Sequence, residues 1–243
     1  MNLNKGLLLD VFDLYFYSPE GRLLFMSENL TQSSIKGTAD EQEVRCGKGN
    51  TLFATLSSNK SLEISCTTNT FSFDSLAFMA GTEVHTGTGV SYAPSEVLKL
   101  TGGKLTLSHT PKDSKEVEIY KDGVKVENIS IEGGTVTVTE GRDGDLYKVM
   151  PFAFNSSEDA EEIIIRTEDF PSAGKVVLMG VERDKDSKVI ADMSFIFDRA
   201  KPTNDFSIET SSELSAKDTT ITLKVLNSDG ELARIVREPI NRA

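Results

Sequence analysis

The residues able to do chemistry are few, and their spacing works against it. Glu161-Glu162 and Glu168-Asp169 are carboxylate pairs of the kind that could divide acid and base roles. Neighbours along a strand point to opposite faces, however, so neither pair converges on one substrate. Gly47-Lys48-Gly49-Asn50 sets a lysine between glycines but lacks the GxxxxGK[ST] spacing and the following helix of a phosphate cradle, and reads as a flexible loop. Asp184-Lys185-Asp186-Ser187 alternates carboxylates as a calcium loop does. It is too short for that, has no glycine or closing glutamate, and carries competing lysines, so it reads as a hairpin tip. His85 and His109 stand alone, with no carboxylate or cysteine at ligand spacing. Cys46 and Cys66 are the two cysteines; neither has a CxxC or nucleophile context, and both read as unpaired thiols. With no catalytic, cofactor-binding or metal-binding constellation, the expectation is a protein that is not an enzyme and takes no cofactor.

The elements that would position any site are nearly all strands. Residues 11–17 and 22–26 flank Ser18-Pro19-Glu20-Gly21, whose Pro and Gly fit a type I turn, so a hairpin is expected. Residues 29–50 are polar with no sustained apolar period and read as a long loop, of a length that is functional or mobile in compact domains. Two short strands are expected at 51–56 and 61–67, joined by a Ser57-Ser58-Asn59-Lys60 turn, with Leu62, Ile64 and Cys66 on one face of the second. Residues 73–81 change to helical spacing, with Asp74 near the start and Gly81 at the stop. A Gly/Thr/Ser stretch to Pro94 marks a boundary, and five short β segments follow between 104 and 152. Asp122-Gly123, Gly133-Gly134 and Asp143-Gly144 punctuate them, which suggests a small immunoglobulin-like sandwich. The last third holds a strand at 161–166, Phe170-Pro171, a strand at 175–182, a charged turn at 183–188 and a strand at 189–197. An Arg199-Ala200-Lys201-Pro202 corner and an alternating strand at 220–226 complete it. Ala191, Met193, Phe195 and Phe197 share one strand face, with Asp192 and Ser194 opposite; Ile221, Leu223 and Val225 point inward. The fold class is mainly β with one short helix.

The chain has 243 residues, 38% of them hydrophobic, enough for a core, and a formal net charge of -12. Residues 1–97 hold 6 Lys and Arg against 11 Asp and Glu, residues 98–155 hold 8 against 9, and residues 156–243 hold 12 against 18. The flanks therefore carry the acidity. An acidic chain is poorly suited to gripping DNA phosphates, which takes Lys and Arg. The charge suits a surface past which DNA slides, and solubility explains it equally well. No apolar run is long enough for a membrane helix, and Gly6-Leu7-Leu8-Leu9 is cut short by Asp10, so neither a signal segment nor a membrane anchor is expected.

The hairpin with a charged tip, the Arg199-Ala200-Lys201-Pro202 corner and the final amphipathic strand resemble the C-terminal half of bacteriophage major tail tube proteins. Leu76-Ala77-Phe78-Met79-Ala80-Gly81 is likewise similar to segments of phage virion proteins. The resemblance implies a tail-tube β-sandwich or barrel subunit divided into residues 1–97, an immunoglobulin-like insertion at 98–155, and residues 156–243. It implies a virion structural protein, made in the host cytoplasm, that forms homohexameric rings stacked into a conduit for DNA. Its partners would be its own copies, the tape measure, terminator and distal tail proteins, and DNA in non-sticking passage, with no membrane. The polar loop, with Asn29, Lys36, Glu43, Lys48 and Asn50, would reach onto neighbouring subunits, and Asp13 and Asp192 would contribute to an acidic bore. A capsid decoration or surface-adhesion protein of two immunoglobulin-like domains would use the same strands.

Overall fold

The structure, a computed structural model, describes residues 6–210, 212 and 217–240. It is mainly β with a single α-helix among the described residues. In chain order the first elements are β1 (Leu7–Leu8), β2 (Asp13–Tyr17), β3 (Leu23–Ser27), β4 (Leu30–Cys46), β5 (Thr51–Thr68) and α1 (Phe73–Ala80). The middle holds β6 (Val84–Thr86), β7 (Val90–Ala93), β8 (Glu96–Lys99), β9 (Lys104–Thr106), β10 (Ile119–Lys121) and β11 (Val124–Lys125). It continues with β12 (Ile129–Glu132), β13 (Thr135–Val138), β14 (Leu146–Val149), β15 (Phe152–Asn155) and β16 (Glu161–Ile163). The end holds β17 (Gly174–Arg183), β18 (Val189–Pro202), β19 (Thr219–Val225) and β20 (Arg234–Pro239).

The chain folds as two compact units, one from Met1–Val84 with Ile163–Ala243, the other His85–Glu162. The boundary expected at 97/98 falls inside β8. The Gly/Thr/Ser stretch that reads as a linker contains β7, which pairs with β15 from Phe152↔Ala93 to Asn155↔Val90 and so joins the second unit. The chain ends of the expected 1–97 and 156–243 segments lie outside the described residues.

The first unit is one antiparallel sheet in the order β3-β2-β17-β18-β19-β5-β4, with β1 added to β17 and β20 added to β18. Alternation decides its faces. Leu14, Phe16, Val176, Leu178, Phe195 and Phe197 form one buried layer, continued by Ile221, Leu223, Ile64 and Cys66. β18 has two partners on one side: residues 191–196 pair with β20, and Ala200, Lys201 and Pro202 pair with β19. The corner expected at 198–202 is therefore strand. Pro202 is the last residue of β18 and still pairs with Leu223. At the start of β17 a side chain on Gly174 would lie 2.2 Å from the Tyr17 carbonyl oxygen, so the close approach of β2 requires glycine there.

The 29–50 segment is not a loop. Leu30–Cys46 pairs along its length with Thr51–Thr68, from Leu30↔Thr68 to Cys46↔Thr51, so Lys36 and Glu43 are strand residues, while Asn29 precedes the strand and Lys48 and Asn50 sit in the turn at its end. The reversal expected at 57–60 is a break in register inside one 18-residue strand. Asn59 adopts φ 51 there and its side-chain amide donates to Asp40 at 2.9 Å. Residues with turn propensity are thus used as a bulge, which bends the strand without ending it. The real reversal is at 47–50, where Gly47, Gly49 and Asn50 all have positive φ.

α1 packs under β3. The Ser72 hydroxyl caps it by accepting the Ser75 amide at 3.0 Å, with Asp74 in the first turn and Gly81 closing the helix in the left-handed conformation at φ 73. Phe78 stacks on Phe25 at 4.6 Å and meets Phe16 edge-on at 4.8 Å.

The second unit has a four-stranded sheet, β11-β10-β14-β8, a three-stranded sheet, β12-β13-β9, and the β15-β7 pair. Leu100, Leu105, Ile119, Val136, Tyr147 and Phe152 are fully or almost fully buried in one core between them. Asp122 and Gly123, at φ 49 and 81, make the two-residue reversal expected from their types. The strand expected through 146–152 is two strands, β14 and β15, separated at Met150-Pro151.

Candidate assembly surfaces

Directly paired residues of antiparallel strands share a face, so the register places every side chain of the sheet. On the face away from the core, Met26 lies beside Tyr15, Tyr15 beside Val177 and Val177 beside Ile196. In the same way Asp13 adjoins Met179, and Asp192 sits between Val181 and Glu238. Asp13 and Asp192 are thus brought to one face of one sheet. Asp192 and Glu238 are directly opposed like charges, an arrangement that weakens a strand pair in isolation.

Tyr15 donates its hydroxyl proton to Glu28 at 2.7 Å, which sets Glu28 on the same face. That bond to a carboxylate, with burial second, pushes the Tyr15 phenol up to about 12. Partial burial, then the Glu28 charge, raises the Asp13 carboxyl above its ordinary value. Lys175 and Arg234 also reach this face, both pairing with Asp198, at 3.7 and 3.5 Å, and towards β19, β5 and β4 the face carries Lys201, Lys224 and Lys36 around Glu63. Among the described residues no cation pairs with Asp13, Glu28, Asp192 or Glu238. Glu28 and Glu238 escaped the sequence reading. The period of Met26 was the available signal for Glu28; β20, a short and wholly exposed strand ending in Pro239, gave none.

The sheet also presents bare edges at β3, at β20 and at β4, which pairs only with β5 among the described residues. β3 pairs only with β2 and β20 only with β18 among the described residues. β3, Leu-Leu-Phe-Met-Ser, has no charged residue, and Leu23, Leu24 and Met26 are exposed on it.

Beyond Gly37 and Leu62 the β4–β5 hairpin leaves the core and becomes an arm in which no residue is buried. Val44, Leu52, Phe53 and Leu56 are exposed on it, and a register break opposite Val44/Arg45 leaves Phe53 without a cross-strand partner. Phe53 was not singled out by the sequence, because its neighbours alternate too briefly to mark a face. Cys46 is exposed near the arm's end, whereas Cys66 is buried in the core, which pushes its thiol up to about 12.

The groups with chemical potential stay apart. Among the described residues no three His, Cys, Asp or Glu side chains gather to hold a metal ion. Asp184 accepts the amides of Asp186 and Lys188, both at 2.9 Å, and so shapes a hairpin tip. His109 stacks on Phe154 at 3.9 Å. No helix among the described residues is long and apolar enough to cross a membrane.

Comparison with known proteins agrees with a strand-built structural subunit. No curated protein matches this chain. The model of the YomU/Tube protein family matches residues 6–237, nearly the whole length and both units. With a match of that extent over a mainly β chain, this protein belongs to the YomU/Tube protein family, a phage tail tube-type family.

Proposed function

We propose that six copies of this chain close into a ring and that the rings stack into the tail tube through which the phage genome passes. The observation that carries this reading is the sheet β3-β2-β17-β18-β20, which has a bare edge at each end and, on the face away from the core, four carboxylates with no ion-pair partner among the described residues. An uncharged edge strand such as β3 invites pairing and is a liability in a monomer; joining β3 of one copy to β20 of the next removes it. That junction is head-to-tail, so it repeats, and it closes into a barrel when the rotation per copy divides a full turn. The face bearing Asp13, Glu28, Asp192 and Glu238 then lines the bore. Repeated around the ring, those charges repel DNA phosphates collectively, so the genome slides without adhering.

The arm reaches onto neighbouring copies, so the assembly role expected of residues 29–50 passes to a hairpin in place of a loop. The His85–Glu162 unit is an immunoglobulin-like module carried by each copy. Tape measure, terminator and distal tail proteins are the partners at the bore and the ends, and the site of action is the virion. Negative-stain electron microscopy of the purified protein tests the reading. Hollow filaments of stacked rings are expected; discrete monomers at every concentration tried would sink it.

A further inference from the structure

Beside α1 lies an open cavity of about 550 Å³, with an apolar side made by Leu24, Phe78 and Pro171 and a polar side that includes Arg22, Asp74 and Glu83. Phe78, half-buried against Phe16 and Phe25, supplies its aromatic wall, and Leu24 belongs to the bare edge strand β3. The molecule also holds a side chain of matching character with nowhere to go. Phe53, at 75% exposure, is the most exposed large hydrophobic residue among those described, and the bulge leaves it without a cross-strand partner.

We infer that the cavity beside α1 receives Phe53 from the arm of a second copy. This deepens the tube reading and rests on it, since the occupant is the protein itself. Three features favour a second copy. Phe53 sits level with Val44, six residues beyond Thr38, so the arm carries it about 20 Å past the root at ~3.4 Å per strand residue. Residues 38–60 hold Asp40, Glu41 and Glu43 against Arg45, Lys48 and Lys60, a net charge of zero in a chain of net charge -12. The arm is therefore the part that can approach another acidic copy with little repulsion. The cavity carries both signs, Arg22 with Asp74 and Glu83, and so does the arm, where Glu41 can meet Arg22 and Arg45 or Lys48 can meet the carboxylates. Filling the cavity with Phe53 sets a ring against Phe78, the edge or offset contact that aromatic groups favour.

The test uses the full chain with Cys46→Ser, which leaves only the buried Cys66, and adds Phe53→Cys and Leu24→Cys together. Oxidation of the assembled protein should give a ladder of covalent multimers that is absent when either new cysteine is left out. Tubes that form without the ladder overturn the docking and leave the tube reading standing; failure of the unaltered protein to form tubes overturns both. If only the cysteine variant fails to assemble, Phe53→Ala, Leu24→Ala and their combination decide. Phe53→Ala should raise the concentration needed for assembly about tenfold or more, and adding Leu24→Ala should change it little further. Effects that multiply in the double variant would overturn the docking.

Discussion

Two long hairpins of the same sheet, β17–β18 and β4–β5, use the same backbone pairing for different ends. In β17–β18 alternate residues enter the core, with Val176, Leu178 and Phe197 fully buried. In β4–β5 that alternation holds only near the root, through Ile64 and Cys66, and stops at Gly37 and Leu62. Pairing needs only backbone groups and a turn, whereas alternation reports whether a core lies on one side. The first hairpin is completed by its own chain; the second is two strands in solvent, a form that is marginal until something covers it. Under the proposed assembly, the difference separates what folds the subunit from what would join subunits.

The largest effect should come from removing the arm. Joining Gly37 to Leu62 through an Asn-Gly turn should leave a folded monomer, by circular dichroism and gel filtration, that forms no rings at any concentration tried. Rings from the shortened protein would erase the distinction. Next, Leu178→Ala, which empties a fully buried site, should cost about 2–5 kcal/mol in urea unfolding, while Leu52→Ala on the arm should change stability by less than about 0.5 kcal/mol.

How much of this was legible in the sequence follows the same division. The β17–β18 hairpin, β19, α1 with Gly81 and the Asp122-Gly123 turn were readable, because burial or a required backbone conformation dictated the residue type. Asp192 was readable as a strand residue opposite the inward face, and Asp13 as a residue of the first strand. The arm was not, since a strand with water on both faces has no apolar period, and Ser57-Ser58-Asn59-Lys60 looks alike as a bulge and as a turn. The corner at Pro202 misled because a proline at the end of a strand carries the same local signal as one in a bend. Glu238 lay hidden in β20, whose pairing with β18 depends on residues far away in the chain.

A smaller effect should follow from reversing charge on the body hairpin. Asp192→Lys converts the like-charge pair with Glu238 into an attractive one, and should stabilise the subunit by about 0.2–1 kcal/mol, measured in urea. Assembly should survive while DNA release from reconstituted particles slows; unchanged release would remove Asp192 from the bore. The smallest effect concerns pH. Because the folded state holds the Asp13 proton more tightly than the unfolded chain, whose value is near 3.8, stability falls as pH rises through the raised folded value. Asp13→Asn cannot titrate there, so its urea midpoint relative to the unaltered protein should climb from below pH 3.8 towards neutrality. A constant difference across that window would contradict the assignment.

The most direct measurement is a cryo-electron microscopy map of the assembled protein that resolves strands at the subunit junction. β3 of each copy is expected to pair with β20 of the next around a sixfold ring, with Asp13, Glu28, Asp192 and Glu238 facing the bore. A ring closed through other edges, or a bore lined by the opposite face of the sheet, would contradict the account.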